Sequence, residues 1–228
     1  MSISLSKLPL MAWSVTSGAC LLALIVWWQG LNNGLASINS YTLFPLLGIL
    51  AFSIMWAHYI MSAVRQIMRA ETEVLKTYFE ITSWLALIAL LLHPGLLVWQ
   101  LWRDGFGLPP GSVLESYVAP TLRGVVILGT LSLAAFLLYE LRRIFQTIGW
   151  WRWIQYLSDG AMLAVLYHGW QLGRHLQSGW YRMVWIMYAI TLIAALGYRY
   201  RGLVKEKRES TRNDKTDDLT HNRQRRQG

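Results

Sequence analysis

Six apolar runs, each close to twenty residues long, constrain this chain more than any other feature of its sequence. They occupy residues 8–29, 41–64, 82–102, 118–139, 154–173 and 181–200. About twenty consecutive apolar residues are needed to cross the roughly 30 Å hydrocarbon layer of a bilayer as a helix. Lipid offers the backbone no hydrogen-bond partners, so a spanning segment must satisfy its own N–H and C=O groups, as a helix does. A barrel would need short segments of alternating polarity, and these runs do not alternate. The fold class expected is therefore an all-α integral membrane protein, a bundle of six transmembrane helices over residues 1–203. Thirteen tryptophans gather near segment ends, as at Trp27, Trp28, Trp150, Trp151 and Trp180, where interfacial belts favour amphipathic rings.

Charge supports the same division. Only 14% of residues are charged, against about 25% in an ordinary soluble domain. Ten of the 21 Lys and Arg residues follow Tyr198, so the net charge of +9 describes a tail and loops beside an anionic leaflet. It does not describe a surface for nucleic acid. Residues 204–228 are polar and lack the apolar content to bury a core, and the expectation for them is a disordered basic tail. The first apolar run has only Lys7 before it and no clear cleavage site after it, which suggests a retained helix. With the N-terminus inside, and the tail left aside, the inner segments carry seven Lys and Arg and the outer segments four, namely Arg103, Arg123, Arg174 and Arg182. The positive-inside rule then places both termini in the cytoplasm.

Ionisable side chains at membrane depth usually face a bundle interior, a cavity or a cofactor. His58, His93 and His168 qualify, and His175 closes the fifth run. In runs that both point outward, His93 lies about 11 residues from the inner end of its run and His168 about 14. Two parallel helices thus present imidazoles at similar depth, as a bis-histidine haem requires. The competing reading is that each imidazole bonds to a backbone carbonyl or a hydroxyl of a neighbouring helix. For His93 a local reason exists, because Pro94 frees a carbonyl one turn back. His58 lies at another level, and His175 shares a helix face with His168. Asp159 and Glu140 lie toward the inside, where Arg142, Arg143 and Arg152 are possible structural partners. Cys20 is the single cysteine, so neither an intramolecular disulfide nor a CxxCH haem attachment exists. No CxxC, HExxH or GxGxxG motif occurs in a fitting context.

The segment order resembles the ferric reductase-like transmembrane domain. So do the run Leu85-Ala86-Leu87-Ile88-Ala89-Leu90-Leu91-Leu92-His93 and the stretch from Trp151-Arg152-Trp153 through Ala161-Met162-Leu163-Ala164-Val165-Leu166-Tyr167-His168. That domain occurs in ferric reductases, NADPH oxidases and the haem-binding membrane subunit of the bacterial methionine sulfoxide reductase system. The likeness covers most of residues 41–200. Two-haem members carry two histidines on each of the third and fifth segments. Here the inner positions hold Phe79 (or its neighbour Glu80) and Gln155, neither a usual ligand. The resemblance therefore implies one haem b near the outer face, held by His93 and His168, and no inner relay. It also implies Arg123, Arg174 or Arg182 beside the propionates, with His175 at a haem edge or a propionate; snorkelling to the interface explains the arginines equally well, and a place at the wet interface explains His175. The function implied is that of a b-type cytochrome subunit in a bacterial inner membrane, carrying electrons for a partner oxidoreductase. Residues after Gly202 leave no room for a flavin or nicotinamide domain, so the electron donor expected is a separate protein or a quinone. A haem-free scaffold or assembly protein of the same fold is the alternative. A transporter would call for paired broken helices of inverted symmetry, and none is evident.

Overall fold

The structure, a computed structural model, describes residues 5–31, 34–141, 151–177 and 179–225. Six long helices dominate: α1 (Leu8–Gln29), α2 (Ser40–Ile67), α3 (Lys76–Arg103), α4 (Arg123–Glu140), α5 (Trp151–Leu172) and α6 (Trp180–Arg225). Short 3-10 or π turns lie in the described connections between them, and no strand occurs among the described residues. The chain is thus an all-α, multi-pass membrane protein. Local chemistry sets several helix starts. Pro9 sits in the first turn of α1, where a missing N–H is no loss. Asn39 caps α2 through Thr42 N, and the Thr42 hydroxyl accepts from Asn39 N in return.

Contacts fix the helix directions. The α2 start meets the α3 end, where the Tyr41 hydroxyl donates to Asp104 at 2.7 Å. The α4 start meets the α5 end, at Val125 and His168. The α1 end meets the α6 start, where Trp180 Nε1 donates to Gln29. Helices α1, α3 and α5 therefore run one way and α2, α4 and α6 the other. The end of the bundle carrying residues 34–40, 104–119 and 173–177 is called the loop end below, and the other the tail end.

Five helical stretches are long and apolar enough to cross a membrane: Leu8–Gln29, Ser40–Ile67, Thr72–Arg103, Pro120–Glu140 and Trp180–Gly202. Helix α5 is not among them. Its 22 residues have the length, but Gln155, Ser158, Asp159, His168 and Gln171 lower its hydropathy. The fifth expected run thus forms a helix too polar to count as a span by composition. Yet α5 runs the full height of the bundle, with Asp159 bonded to α2 and α6 near the tail end and His168 to α4 near the loop end. Its polar residues explain the low hydropathy: Ser158 and Asp159 are buried against protein, while Trp153, Tyr156 and Leu157 face outward.

Packing follows membrane rules. The buried face of α1 reads Leu8, Ala12, Thr16, Ala19, Ala23 and Val26, mostly small side chains that let α2 approach closely. The main core gathers Phe52, Met162, Tyr181, Trp185 and Leu192 from α2, α5 and α6. Leu131, Met187, Ile190 and Trp84 lie bare on the outer surface, which contacts lipid. Helix α3 packs chiefly on α2, and α4 chiefly on α5, while α3 and α5 touch little.

The tail departs from its expected disorder. Backbone helix continues through Arg225, and residues 226–228 lie outside the described residues. No Pro or Gly interrupts the stretch after Gly202, and Lys, Glu, Arg and Gln recur through it. Those residues have good helix propensity, so a helix already formed in α6 propagates.

Candidate functional site

His93 on α3 and His168 on α5 sit in matching surroundings. Each lies 17 residues past the first residue of its helix, Lys76 or Trp151, or about 25 Å along the axis. His93 Nδ1 is 2.6 Å from the carbonyl oxygen of Phe44 on α2. His168 Nδ1 is 2.8 Å from the carbonyl oxygen of Val125 on α4. A carbonyl only accepts, so Nδ1 carries the proton in both rings. For a neutral imidazole that leaves Nε2 as the lone-pair nitrogen. Both rings are half-buried.

Glycine makes both bonds possible. Four residues beyond Phe44 is Gly48, and four beyond Val125 is Gly129. A helical Cβ leans back toward the N-terminus, over the carbonyl one turn earlier, so glycine uncovers that carbonyl. A Cβ at Gly48 would stand 2.8 Å from Cε1 and Nδ1 of His93, and one at Gly129 would stand 2.5 Å from the same atoms of His168. Neither glycine has a positive φ, so close approach is what requires them. The sequence reading missed this pair. The signal was present as a glycine inside each apolar run, but only the fold shows which side chain lies across it. The local reason offered for His93 does not hold, since its partner is on α2 rather than on its own helix.

The other histidines differ. His58 Nε2 is 2.6 Å from the Thr82 hydroxyl, which itself donates to the Tyr78 carbonyl. With its only proton committed, Thr82 must accept, so His58 carries its proton on Nε2 and has no lone pair there. His58 also packs edge-on against Tyr78 and Phe79. His175 lies against Gly30 at the end of α1, a third histidine on a glycine. It stands outside the spans. Burial pushes its imidazole below the usual pKa, and Arg174 adds to the shift.

The arginines mostly have structural partners. Arg123 Nε donates to the Leu114 carbonyl at 2.6 Å and straps residues 112–117 to the head of α4. Arg182 lies over the Trp170 ring, 5.0 Å from its centroid. Above His93, Phe44 lies 5.5 Å from the imidazole, and Tyr117 packs on both Phe44 and Tyr41. Tyr41 and Gln100 donate to Asp104 at the rim, and those bonds hold its carboxyl below the usual range.

Asp159 has partners that the sequence reading did not name. Its carboxylate, 6% exposed, accepts from Arg199 at 3.0 Å, Tyr59 at 2.9 Å and Tyr200 at 2.8 Å. Arg142 and Arg143 lie outside the described residues, as does the side chain of Arg152. The ion pair ties α5 to α6, and Tyr59 adds α2. Since the carboxylate is met on both oxygens, it acts as a clamp at the tail end.

Among the described residues, no cluster of three or more His, Cys, Asp or Glu is placed to hold a metal ion. No family model, curated protein or solved structure matches the chain.

Proposed function

We propose that this protein is a membrane-embedded b-type cytochrome, with one haem b between α3 and α5 and His93 and His168 as its axial ligands. The observation that carries the reading is the shared arrangement of the two imidazoles. Metal-bound histidines characteristically donate their second ring N–H to a carbonyl or carboxylate, which sets the tautomer and strengthens the ligand. Both rings here have that state, at matched positions on parallel helices. The donor set also fits: two imidazoles do not enclose a bare ion, but they complete an iron whose other four ligands come from a macrocycle. Helices α3 and α5 touch little, which suits a flat group between them.

When bound, haem supplies one-electron redox chemistry. The chain would hold that group through the Nε2 atoms of His93 and His168, whose rings it orients through the Phe44 and Val125 carbonyls, and it screens the His93 side with Phe44 and Tyr117. Among the described residues the inward positions hold Phe79 and Gln155, neither a usual haem ligand, so electrons would be exchanged at the loop end. The donor proposed is a separate redox protein or a quinone, and a partner reductase is the natural recipient. The positive-inside balance supports both termini in the cytoplasm of a bacterium, with the loop end outside.

A haem-free scaffold remains the second reading. It is favoured by one fact, that each imidazole already joins two helices through its carbonyl bond. An absorption spectrum of the purified protein, oxidised and then reduced with dithionite, separates the two. Sharp reduced bands at near one haem per chain, lost in both His93→Ala and His168→Ala, are expected. A featureless spectrum after expression with ample haem supports the scaffold instead.

A further inference from the structure

Helix α6 does not stop where its membrane span does. The span occupies Trp180–Gly202, and the backbone helix runs on through Arg225. At about 1.5 Å per residue, the 23 residues after Gly202 carry it about 34 Å beyond the span. Its base is fixed to the bundle, since Arg199 and the Tyr200 hydroxyl donate to Asp159 of α5 at 3.0 and 2.8 Å. A helix turns about 100° per residue, which sorts the charged positions of this extension onto faces. Arg201, Lys205, Arg208, Arg212 and Lys215 follow one another at alternating steps of four and three, so they occupy a strip about 80° wide. Arg223 continues the strip. The acidic positions, Glu206, Glu209, Asp214, Asp217 and Asp218, all fall outside it.

Such a row is unfavourable for the helix alone, because like charges one turn apart repel. A matching row of carboxylates would relieve it through charge-assisted hydrogen bonds. The membrane that carries the helix is not that partner. Attraction to headgroups fades within a Debye length, about 8 Å at physiological salt, whereas Lys215 lies 13 residues past Gly202, or about 20 Å. A second copy does not fit either, since a two-fold contact brings the same face of each helix together, cation on cation. A broad polyanion such as duplex nucleic acid would meet Glu209 on one side of the strip and Asp218 on the other. The narrow strip suits a single helix whose own acids repeat at the same alternating spacing.

We infer that the extension of α6 is a docking rod, whose basic strip from Arg201 to Lys215 pairs with an acidic helix of a soluble protein in the aqueous phase at the tail end. The inference is independent of the haem reading. Its test uses the full chain in nanodiscs of phosphatidylcholine, which is zwitterionic, at about 0.15 M salt. The probes are a fluorescent helical peptide with glutamates at alternating three-four spacing along one face, and a scrambled peptide of the same composition. The matched peptide is expected to bind at least tenfold more tightly. Arg208→Gln combined with Arg212→Gln should weaken it at least fivefold. Lys207→Gln combined with Arg225→Gln removes the same charge away from the strip and should change binding less than twofold. Glutamine is a good helix former, so neither pair removes the helix, and circular dichroism checks that. Equal losses in the two pairs, or equal binding of the two peptides, overturn the inference, because net charge alone would then explain the attraction. Loss of peptide binding when the nanodiscs contain phosphatidylglycerol overturns it in favour of the rod's own leaflet. Tighter binding of a duplex DNA than of the matched peptide overturns it in favour of nucleic acid.

Discussion

The carbonyl oxygen of Phe44 stands 2.6 Å from Nδ1 of His93, and it is exposed to that ring because the residue one turn further on is Gly48. Val125, Gly129 and His168 repeat the arrangement on α4 and α5. Two unrelated helix pairs thus converge on one device, a histidine laid across a glycine and oriented by the carbonyl that the glycine uncovers.

Adding a methyl group at either glycine should displace the facing imidazole. Gly48→Ala and Gly129→Ala each place a Cβ within 2.8 Å of a ring atom, so the ring must move off its carbonyl. Overpacking of this kind typically costs about 1–3 kcal/mol. Haem per chain, read from the reduced spectrum, is expected to fall by more than half in each variant. Gly18→Ala is the control, because nothing lies within 4 Å of its added Cβ.

The histidines should separate by tautomer. His93→Ala and His168→Ala remove proposed ligands and should leave no haem. His58→Ala should keep the full haem content and lower only thermal stability, since its Nε2 proton is committed to Thr82. Equal haem loss in all three variants would remove the distinction drawn between them.

The Asp159 clamp should show the asymmetry of a buried ion pair. Arg199→Leu leaves a carboxylate that is 6% exposed without its cation, and breaking such a pair costs about 3–5 kcal/mol. Asp159→Asn combined with Arg199→Leu should recover part of the loss. Thermal unfolding of the three proteins in detergent measures both effects, and a double variant no more stable than Arg199→Leu would contradict the account.

Stability should fall on mild acidification through His175. Its folded-state pKa is depressed by burial and by Arg174, so the unfolded chain binds the extra proton more readily. Below the unfolded value of about 6.5, protonation favours the unfolded state, and stability drops until the folded pKa is reached. The unfolding temperature of the unaltered protein should therefore decrease between pH 7.5 and 5.5, and His175→Gln should flatten that dependence. An identical slope in the variant would assign the effect to another group.

Topology is open to a direct measurement. In a Cys20→Ser background, a cysteine at Phe106 should react with a membrane-impermeant thiol reagent added to intact cells. A cysteine at Gln66, at the tail end, should react only after lysis. The reverse pattern would invert the proposed orientation.

Much of this protein was fixed by its sequence alone. Length and apolar content of the runs demanded membrane helices, because hydrocarbon leaves the backbone no other way to satisfy its polar groups. The matched depth of His93 and His168 was likewise legible, since a helix rises by a constant amount per residue. Other features depended on neighbours far apart in the chain. The polar content of α5 argues against a span by composition, and only its contacts with α2, α4 and α6 show that it runs the height of the bundle. Arg199 as the partner of Asp159 and the laying of His93 and His168 across glycines were both decided in three dimensions. The reason is physical. Periodicity along one helix fixes rise and face, but in lipid no hydrophobic pattern says which helix lies beside which, and close packing and hydrogen bonds settle that only once the bundle has formed.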